Sequence, residues 1–398
     1  MSKDDESVFA GLPADRYLSA AWFTTEMAKV FGRIWLYACH SSELAAPGAF
    51  VTRAIGPDER VVLLRTPGGP VRAFHNVCRH RGSPLCNAPY GQVERLICPY
   101  HQWTYGLDGR LLGAPRLRDG AGLHYAELGL HPVVVAEWRG HVFLHLQDGD
   151  PGELIQELEA RCGGLSAFSP EETRVAHAVT YRVRANWKVL LENFWECYHC
   201  APVHRALSRT LDVAALDGAE FGAHFEGVPP QVEAAGLPLK AGARTASLDG
   251  RLTSRALLGR FATEPVPDPG PSTGFILRAT TAASYFVDYG ILHDFRPVEV
   301  NLTEVLCQWL VRRDAVEGRD YDRAALVDLW ERTNEEDWGL CEAVQTGMRS
   351  SRYTPGPLGV ATEPGIRSFH QYYSHLMAAP YSAPEDPAIT TRADPVRC

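Results

Sequence analysis

The sequence has no long apolar run and no surplus of positive charge. Spanning a bilayer takes about 20 consecutive apolar residues, and the chain contains no such run. The 39 Lys and Arg residues are outnumbered by 48 Asp and Glu residues, whereas nucleic acids and anionic membranes attract concentrated positive charge. The acidic start Met1-Ser2-Lys3-Asp4-Asp5-Glu6 lacks the basic and apolar regions of a secretory signal. We therefore expect a soluble, cytoplasmic protein that acts on a small molecule and binds neither nucleic acid nor membrane.

Cysteines are too few for a disulfide scaffold. The chain has 10 cysteines in 398 residues, and in a reducing compartment clustered Cys and His usually bind metal. Two such clusters occur, and the length of the chain together with its 45% hydrophobic residues suggests two domains. We therefore expect a globular metalloprotein.

The first cluster pairs one Cys with one His in each of two short segments. Cys78 and His80 form the first pair, Cys98 and His101 form the second, and seventeen residues lie between His80 and Cys98. Such a set can hold zinc, or a Rieske [2Fe–2S] cluster in which two Cys bind one iron and two His bind the other. Zinc modules usually pair Cys with Cys and His with His, so the mixed pairs favour the Rieske cluster. Cys86 has no matching partner and is interpreted as a free thiol.

The pattern of the chain changes twice. Apolar residues such as Trp22 and Phe31 suit an amphipathic helix near the N-terminus, and short β-like runs such as Val61-Val62-Leu63-Leu64 follow it. After the turn-rich stretch 148–152, helical and strand-like segments alternate irregularly. This order predicts an α+β fold with an all-β domain first. The Gly- and Pro-rich stretch 228–274 is either a cover over a site or a surface insertion.

The second cluster contains two His that a straight helix would keep apart. Apolar residues in 186–199 recur with the period of a helix, which predicts a helix that includes His199. His204 follows five residues later, and on a straight helix the two imidazoles would point about 140° apart. Pro202 disfavours a regular helix, so the chain can bend and bring His204 back towards His199.

Two His need a carboxylate to complete an iron site, and Asp337 is the candidate. It falls on a predicted apolar helix face, where an unpaired charge is costly. That face is formed by Leu326, Trp330, Thr333, Leu340, Cys341, Val344 and Met348. Two His and one carboxylate form the facial triad that holds Fe(II) in non-heme oxygenases and leaves open positions. Alternatively, Asp337 is a salt-bridged helix residue, or the neighbouring Glu336 is the ligand.

Both clusters lie in segments that resemble one family. The stretches Cys78-Arg79-His80-Arg81-Gly82 and Cys98-Pro99-Tyr100-His101-Gln102-Trp103 are similar to the Rieske-domain signature of the Rieske non-heme iron oxygenases. The run from Glu192-Asn193-Phe194 to His204 is similar to the iron-binding helix of the same family. The resemblance implies an N-terminal all-β Rieske domain, followed by a catalytic domain with an antiparallel sheet and helices of the helix-grip kind.

The resemblance also implies residue roles. The [2Fe–2S] ligands would be Cys78, His80, Cys98 and His101; the ligands of one Fe(II) would be His199, His204 and Asp337; and the catalytic residues would be Glu196 and Asn193. The implied division is a helical segment 1–42 that packs on the catalytic domain, a Rieske domain 43–152 and a catalytic domain 153–398.

The family resemblance carries expectations about partners. In the family, a head-to-tail homotrimer places the cluster of one subunit beside the iron of the next. An acidic residue three positions before the first His ligand links the two centres there, and Glu196 occupies that position. O₂ is the implied co-substrate. The sequence contains no flavin or nicotinamide signature, so electrons from NAD(P)H are expected through a separate flavin- or ferredoxin-type reductase.

Further similarity bears on the substrate. The segments 314–322, 333–337 and 355–358 resemble the glycine betaine and stachydrine demethylases, with choline and carnitine monooxygenases as relatives. This implies hydroxylation or oxidative N-demethylation of a small quaternary ammonium compound. Glu196 fits that branch, since many ring-hydroxylating members have Asp there, whereas Val344-Gln345 departs from the expected Asn-Gln.

An aromatic cage is expected for such a cation, because cation–π attraction replaces its hydration. A cage needs two or three aromatic residues, and the other candidates are expected in the core; the candidates are Trp195, Tyr198, Tyr285, Phe286, Tyr289, Phe369, Tyr372 and Tyr373. The alternative activity is hydroxylation or O-demethylation of an aromatic acid. Outside enzymes, the alternatives are a Rieske electron carrier and a zinc-stabilised binding protein.

Overall fold

The computed structural model describes residues 8–117, 124–216, 236–277 and 280–379. The strands are β1 (Val8–Ala10), β2 (Leu36–His40), β3 (Ala49–Ile55), β4 (Glu59–Arg65), β5 (Val71–His75), β6 (Tyr90–Gln92), β7 (Leu96–Ile97), β8 (Thr104–Tyr105), β9 (Leu111–Gly113), β10 (Pro132–Trp138), β11 (His141–His145), β12 (Thr173–Val183), β13 (Ser272–Leu277), β14 (Thr281–Phe286), β15 (Gly290–Glu299), β16 (Leu302–Arg312) and β17 (Pro357–Gly359). The helices are α1 (Asp15–Leu18), α2 (Ala20–Glu26), α3 (Pro151–Arg161), α4 (Trp187–Phe194), α5 (Cys200–Val203), α6 (Leu207–Thr210), α7 (Val213–Leu216), α8 (Arg323–Gly347) and α9 (Pro364–Ala378).

Two sheets build the N-terminal half. The larger has seven strands in the order β2-β11-β10-β5-β4-β3-β6, and the smaller has the order β7-β8-β9. Val61, Val62, Leu63 and Leu64 of β4 are fully buried, because this interior strand has a neighbour on each side and both of its faces are covered. The turn between β7 and β8 contains Cys98 and His101, so the small sheet positions the second Cys–His pair.

An antiparallel sheet and a long helix build the C-terminal half. The sheet has five strands in the order β12-β16-β15-β14-β13. Helix α8 begins at a cap formed by Asp322, whose side chain accepts a hydrogen bond from the Ala325 N–H. It packs on β15 through ring contacts, with Trp338 6.3 Å from Phe295 between ring centres. The all-β first half and the antiparallel sheet with helices confirm the predicted α+β class.

A fully buried ion pair joins the N-terminal helices to α4. The Lys188 Nζ lies 2.6 Å from Glu26 Oε1, and both side chains are 0% exposed. The Trp187 indole and the Tyr373 hydroxyl donate to the same carboxylate. Buried charges are tolerated when they are paired and hydrogen-bonded, so this cluster holds α2, α4 and α9 together.

The helix predicted over 186–199 is too long. It ends at Phe194, because the Glu196 side chain accepts a hydrogen bond from the His199 N–H and so competes with the helical backbone bonds. Tyr198, predicted on the apolar face, is 63% exposed. The bend therefore precedes Pro202, which lies inside α5.

The buried face of α8 also differs from the predicted one. Leu340 and Val344 are 38% and 47% exposed, whereas Asn334 and Gln345 are buried. These two polar side chains are buried because they have partners: Asn334 bonds to His293, and Gln345 accepts from the Asn186 N–H.

One disulfide bond was missed from sequence. Cys197 and Cys200 are joined, and their Cys-x-x-Cys spacing was the available signal. The other cysteines that the structure describes, Cys86 included, are free. Across the described ranges, no helix has both the length and the apolar character that a membrane crossing requires.

Candidate active site

The two Cys–His segments form adjacent tight turns. The Gly82 N–H donates to the Cys78 carbonyl at 2.9 Å, and the Gln102 N–H donates to the Cys98 carbonyl at 3.0 Å. Gly82 has a φ of +78°, which a residue without Cβ adopts freely. Cys78 and Cys98 are 2% and 1% exposed, so the thiols lie on the inner side of the two turns.

The two His of this cluster lie together at the surface. The rings of His80 and His101 are 4.5 Å apart between centres, and His80 is exposed. Trp103 stacks on His80 at 4.9 Å, and Tyr100 stacks on His101 at 3.7 Å. Two buried sulfurs and two outward imidazoles fit the donor set of a Rieske cluster.

A hydroxyl group accompanies the first cluster thiol. The Tyr105 oxygen lies 3.4 Å from Cys78 Sγ and accepts from the Arg79 N–H at 3.1 Å. Burial raises the pKa of the Cys78 thiol, and the Tyr105 hydroxyl opposes that rise. Such a hydroxyl stabilises a ligating thiolate and tunes the metal that it binds.

Three side-chain atoms from distant segments converge in the C-terminal half. The Nε2 atoms of His199 and His204 are 3.1 Å apart, and Asp337 Oδ1 lies 3.2 Å and 3.0 Å from them, respectively. The non-helical stretch after α4 and the short α5 position the two His, and α8 positions Asp337. The three atoms therefore surround one point, as ligands of a single metal ion do.

The outer nitrogen of each His bonds to a carboxylate. His199 Nδ1 contacts Glu196 Oε1 at 2.5 Å, and His204 Nδ1 contacts Glu336 Oε2 at 2.7 Å. An Nδ1–H that donates to a carboxylate leaves the Nε2 lone pair for a metal and fixes the ring. Glu336, the rival ligand from sequence, thus lies behind His204, on the side away from the point of convergence.

The pKa values of these groups reflect their mutual contacts. Burial would lower the pKa of His199, but its bonds to Asp337 and Glu196 raise it to about 9. Burial would raise the pKa of Asp337, but its bonds to His199 and His204 lower it. These contacts favour protonated imidazoles beside an ionised carboxylate, and a divalent cation would displace those protons. The three residues therefore fit an Fe(II) ion.

Asn193, on α4, contacts two of these three atoms. Its Nδ2 donates to Asp337 Oδ1 at 3.2 Å and lies 3.4 Å from His199 Nε2. The amide holds the carboxylate oxygen in place beside the imidazoles.

A cavity opens beside the triad, and its nearest wall is aromatic. The ring of His293 lies 5.5 Å from that of Phe194 and 5.8 Å from that of Trp330. Burial lowers the pKa of His293 to about 4, so this imidazole is neutral. Small and apolar residues, among them Leu237, Gly274, Phe275, Ile276, Ala282 and Ile291, line the remainder. Among the described lining residues there is no Lys or Arg.

Most of the aromatic candidates are core residues, as expected. Of the eight, Trp195 is the one among the described lining residues of the cavity, and residues such as Tyr285 and Tyr289 are fully buried in the core. Sequence reasoning missed His293 as a residue of the cavity wall; the available signal was a single His after the apolar residues that begin β15. Part of the stretch 228–274 does reach the cavity, through Leu237 and Gly274, while residues 228–235 lie outside the described ranges.

The β domain holds a Cys₂His₂ cluster site, and the α+β domain that follows it holds a two-His, one-carboxylate site. This combination defines the oxygenase component of a Rieske-type enzyme. Comparison with known proteins agrees. Residues 34–132 match the Rieske [2Fe-2S] domain family, and residues 170–379 match the catalytic domain of the ring-hydroxylating alpha subunit. The chain belongs to the Rieske non-heme iron oxygenases and is a Rieske-type oxygenase. The two matched domains are those that carry the [2Fe–2S] cluster and the mononuclear iron, with electrons supplied by a reductase.

Curated relatives match either nearly the whole chain or about half of it. The glycine betaine monooxygenase oxygenase subunit of Pseudomonas aeruginosa strain UCBPP-PA14 is 36% identical over 393 residues, which is 92% of this chain and 89% of the relative. The carnitine monooxygenase oxygenase subunit of Escherichia coli K12 is 36% identical over 208 residues, which is 51% of this chain and 54% of that protein.

Solved structures share the fold. The quaternary ammonium Rieske monooxygenase CntA, in complex with L-carnitine, superposes with a TM-score of 0.69 at 23% identity, covering 94% of this chain and 96% of that chain. Naphthalene 1,2-dioxygenase from Rhodococcus, bound to indole, has a TM-score of 0.63 at 20% identity, covering 93% of this chain and 95% of that chain.

Proposed function

We propose that this oxygenase hydroxylates, or oxidatively removes, an N-methyl group of a small, betaine-like quaternary ammonium compound. The observation that carries the proposal is the wall of Phe194, His293 and Trp330 beside the triad. Aromatic faces attract a desolvated ammonium group by about 0.5–2 kcal/mol each. The neutral state of His293 adds no repulsion, and full-length relatives named glycine betaine monooxygenase subunits support the same substrate class.

The charges around the cavity support a cationic substrate. The carboxylates of Glu196 and Asp337 are part of its lining, and no described lining residue carries a fixed positive charge. A carboxylate on the substrate, which betaines and the aromatic acids of the alternative from sequence both carry, meets neutral donors such as Asn193, Ser284 and Thr333 in the described lining. The choice of a quaternary ammonium compound therefore rests on the attraction of its cation to the aromatic wall and to the two carboxylates.

In this proposal, His199, His204 and Asp337 hold the mononuclear iron, and Cys78, His80, Cys98 and His101 hold the cluster. When bound, the iron supplies O₂ activation and the cluster supplies electrons one at a time. Glu196 holds His199 through its Nδ1, and Asn193 holds the Asp337 oxygen. The protein's own contribution is to fix these ligands and to keep the methyl group in an apolar space.

We further propose a head-to-tail homotrimer in which Glu196 links two subunits. Exposed apolar side chains next to the ligands of both centres support the idea. Ile97 and Tyr100, beside Cys98 and His101 in the chain, are 52% and 56% exposed, and Tyr198, beside His199, is 63% exposed. Exposed apolar residues grouped at a site are typical of an interface.

The remaining parts of the proposal concern organisation. We propose an N-terminal segment 1–42 whose helices lie on the catalytic domain, a Rieske domain 43–152 and a catalytic domain 153–398. The Glu26–Lys188 pair supports the first contact, although the segment also contains β1 and β2, and β2 pairs with β11. A separate flavin- or ferredoxin-type reductase would deliver electrons from NAD(P)H. A cytoplasmic location suits the seven free cysteines that the structure describes.

The test is a substrate panel with a surrogate reductase. Glycine betaine, carnitine and choline are compared with methoxybenzoates, and NADH consumption, O₂ uptake and formaldehyde are measured together. We expect product formation coupled to O₂ uptake with one or more of the quaternary ammonium compounds. Coupled turnover of the methoxybenzoates alone would overturn the substrate assignment.

A variant makes the test specific to the aromatic wall. Phe194→Leu keeps an apolar side chain but removes the π face. The free energy of binding of the preferred trimethylammonium substrate should therefore weaken by about 1 kcal/mol, which raises its Kd roughly fivefold. The neutral tert-butyl analogue of that substrate provides the control, since its affinity should hardly change. An equal loss for both ligands would refute the cation–π role.

A further inference from the structure

The disulfide between Cys197 and Cys200 lies in the segment that carries both His of the triad. Cys197 precedes His199 by two residues, and Cys200 follows it directly. The backbone N–H of His204 donates to the Cys200 carbonyl at 2.8 Å. Any change at the sulfur pair therefore acts on the chain that positions His199 and His204.

Both sulfur-bearing residues belong to the wall of the cavity. Cys197 and Cys200 are 8% and 5% exposed, and both line the space beside the triad. The other described cysteines are free, although several of them are equally buried. The disulfide therefore forms because these two residues are close together and not because they are buried. Small molecules in the cavity can reach it, since both residues line that space.

The Cys200 sulfur is also near enough to act as a metal ligand. Its Sγ and the ring nitrogens of His199 and His204 all lie within 4.8 Å of one another. A disulfide sulfur is a poor ligand, whereas a thiolate binds zinc strongly and in a tetrahedral set with imidazoles. The same three residues can thus offer two different donor sets.

We propose that Cys197 and Cys200 form a reversible redox pair that decides whether the Cys200 sulfur can bind the metal held by His199 and His204. In the disulfide state, the site offers only nitrogen and oxygen donors. In the dithiol state, the Cys200 thiolate joins them and fills a position that a two-His, one-carboxylate site leaves open. A thiolate in that position favours zinc over iron.

The redox step balances with a peroxide as the oxidant. One hydrogen peroxide and the two thiols yield the disulfide and two waters: the sulfurs are oxidised by two electrons, the O–O bond breaks and the S–S bond forms. A dithiol such as dithiothreitol reverses the step and becomes a disulfide itself.

The proposal goes beyond the substrate assignment, but it rests on the proposed ligands His199 and His204. It is tested on the full chain with its cluster in place, after a chelator has removed the mononuclear metal. Protein oxidised by peroxide and protein reduced by dithiothreitol are each loaded with one zinc and freed of reagent. X-ray absorption at the zinc edge then reports this site alone, because the cluster contains only iron.

In the reduced protein, we expect one sulfur neighbour at about 2.3 Å from zinc. The oxidised protein should show nitrogen and oxygen neighbours only, and it should bind zinc about tenfold or more weakly in competition with a chelator, because it lacks the soft thiolate ligand. Mass spectrometry of the peptide with both cysteines checks that the two forms differ by two hydrogens.

Two serine variants separate the roles of the two cysteines. Cys197→Ser cannot form the disulfide and leaves Cys200 free, so it should show the sulfur neighbour without any reductant. Cys200→Ser lacks the proposed ligand and should resemble the oxidised protein under both conditions. A His204→Ala variant provides the control for the site itself.

Zinc bound without sulfur in the reduced protein and in Cys197→Ser would overturn this proposal alone. Thiols that stay unchanged in peroxide would also overturn it. Zinc binding that is unaffected by His204→Ala would refute the ligand assignment under the proposed function as well, so the two failures are distinguishable.

Discussion

Asp337 Oδ1 lies 3.0 Å from His204 Nε2, although the two residues are far apart in the chain. The contact joins the middle of α8 to the turn that follows α5. Because the same oxygen also approaches His199, it can complete a three-atom site only while α8 is packed on the sheet. The candidate iron site is thus a property of the folded catalytic half as a whole.

Replacing Asp337 should empty the mononuclear site and spare the cluster. Asp337→Asn removes the anionic ligand, so iron should fall from about three to about two per chain, while acid-labile sulfide stays at about two. Iron and sulfide analysis on anaerobically purified protein measures this. Glu335→Gln, a change at a neighbouring exposed carboxylate, should keep all of the iron; full retention of iron by Asp337→Asn would contradict the ligand assignment.

Glu336 should act through His204 and not as a ligand. Glu336→Gln replaces the carboxylate behind the ring by a neutral amide, and loss of such partners typically weakens metal binding by about 10–100-fold. Competition with an Fe(II) chelator gives the affinity. If Glu336→Gln abolished binding as completely as Asp337→Asn, then Glu336 would be the ligand instead.

Glu196→Gln should separate metal content from turnover. The variant keeps the length of the side chain but removes the charge that contacts His199 Nδ1. We expect both metals to remain bound and product formation to be nearly abolished, because in the proposed trimer Glu196 links the centres of adjacent subunits. Metal analysis and single-turnover reoxidation of the reduced cluster measure the two effects. Normal product formation would rule out this role.

The Glu26–Lys188 pair should be needed for stability. Lys188→Met leaves the buried Glu26 carboxylate without its cation, a loss of about 3–5 kcal/mol. Thermal unfolding should show a lower melting temperature. The double variant Glu26→Leu/Lys188→Met should recover only part of the loss, because it removes the unpaired charge but leaves the Trp187 and Tyr373 donors without their acceptor. Arg182→Met, at a surface pair with Glu304, provides the control, where the change should be within about 1 kcal/mol. An equal loss of stability at the buried pair and at the surface pair would show that burial is not the cause.

His141 should make the fold sensitive to mild acid. Burial lowers its pKa from 6.5 to about 4, while Nδ1–H donates to the Arg139 carbonyl and Nε2 accepts from Tyr285. The pKa of His141 is lower in the folded chain than in the unfolded chain, so protonation of His141 favours unfolding. The stability that neutral His141 contributes is complete above pH 6.5 and is lost as the pH falls towards 4.

At pH 5 the loss amounts to about 2 kcal/mol. His141→Gln keeps a side chain that can donate and accept but cannot titrate there, so its melting temperature should fall less between pH 7 and pH 5 than that of the wild type. The two falls should be compared in buffers of equal ionic strength. Identical acid shifts would show that His141 is not the group responsible.

Local sequence pattern was enough to predict the donor sets and the fold class. Mixed Cys–His pairs mark a Rieske cluster because that centre needs two sulfurs and two nitrogens in two turns, and this is a matter of local spacing. The β-like runs of the first half and the irregular alternation of the second also follow from local pattern, which is why the α+β class was predicted correctly.

Which groups meet depends on long-range packing, which local sequence pattern does not show. Asp337 and Glu336 are neighbours, yet adjacent residues on a helix point about 100° apart, so the packing of α8 directs one to the triad and the other behind His204. The helix end at Phe194 depends on a side-chain bond of Glu196 that periodicity does not show. The aromatic wall comes from α4, β15 and α8, whose rings meet only through long-range packing, so no local pattern could distinguish them from core residues.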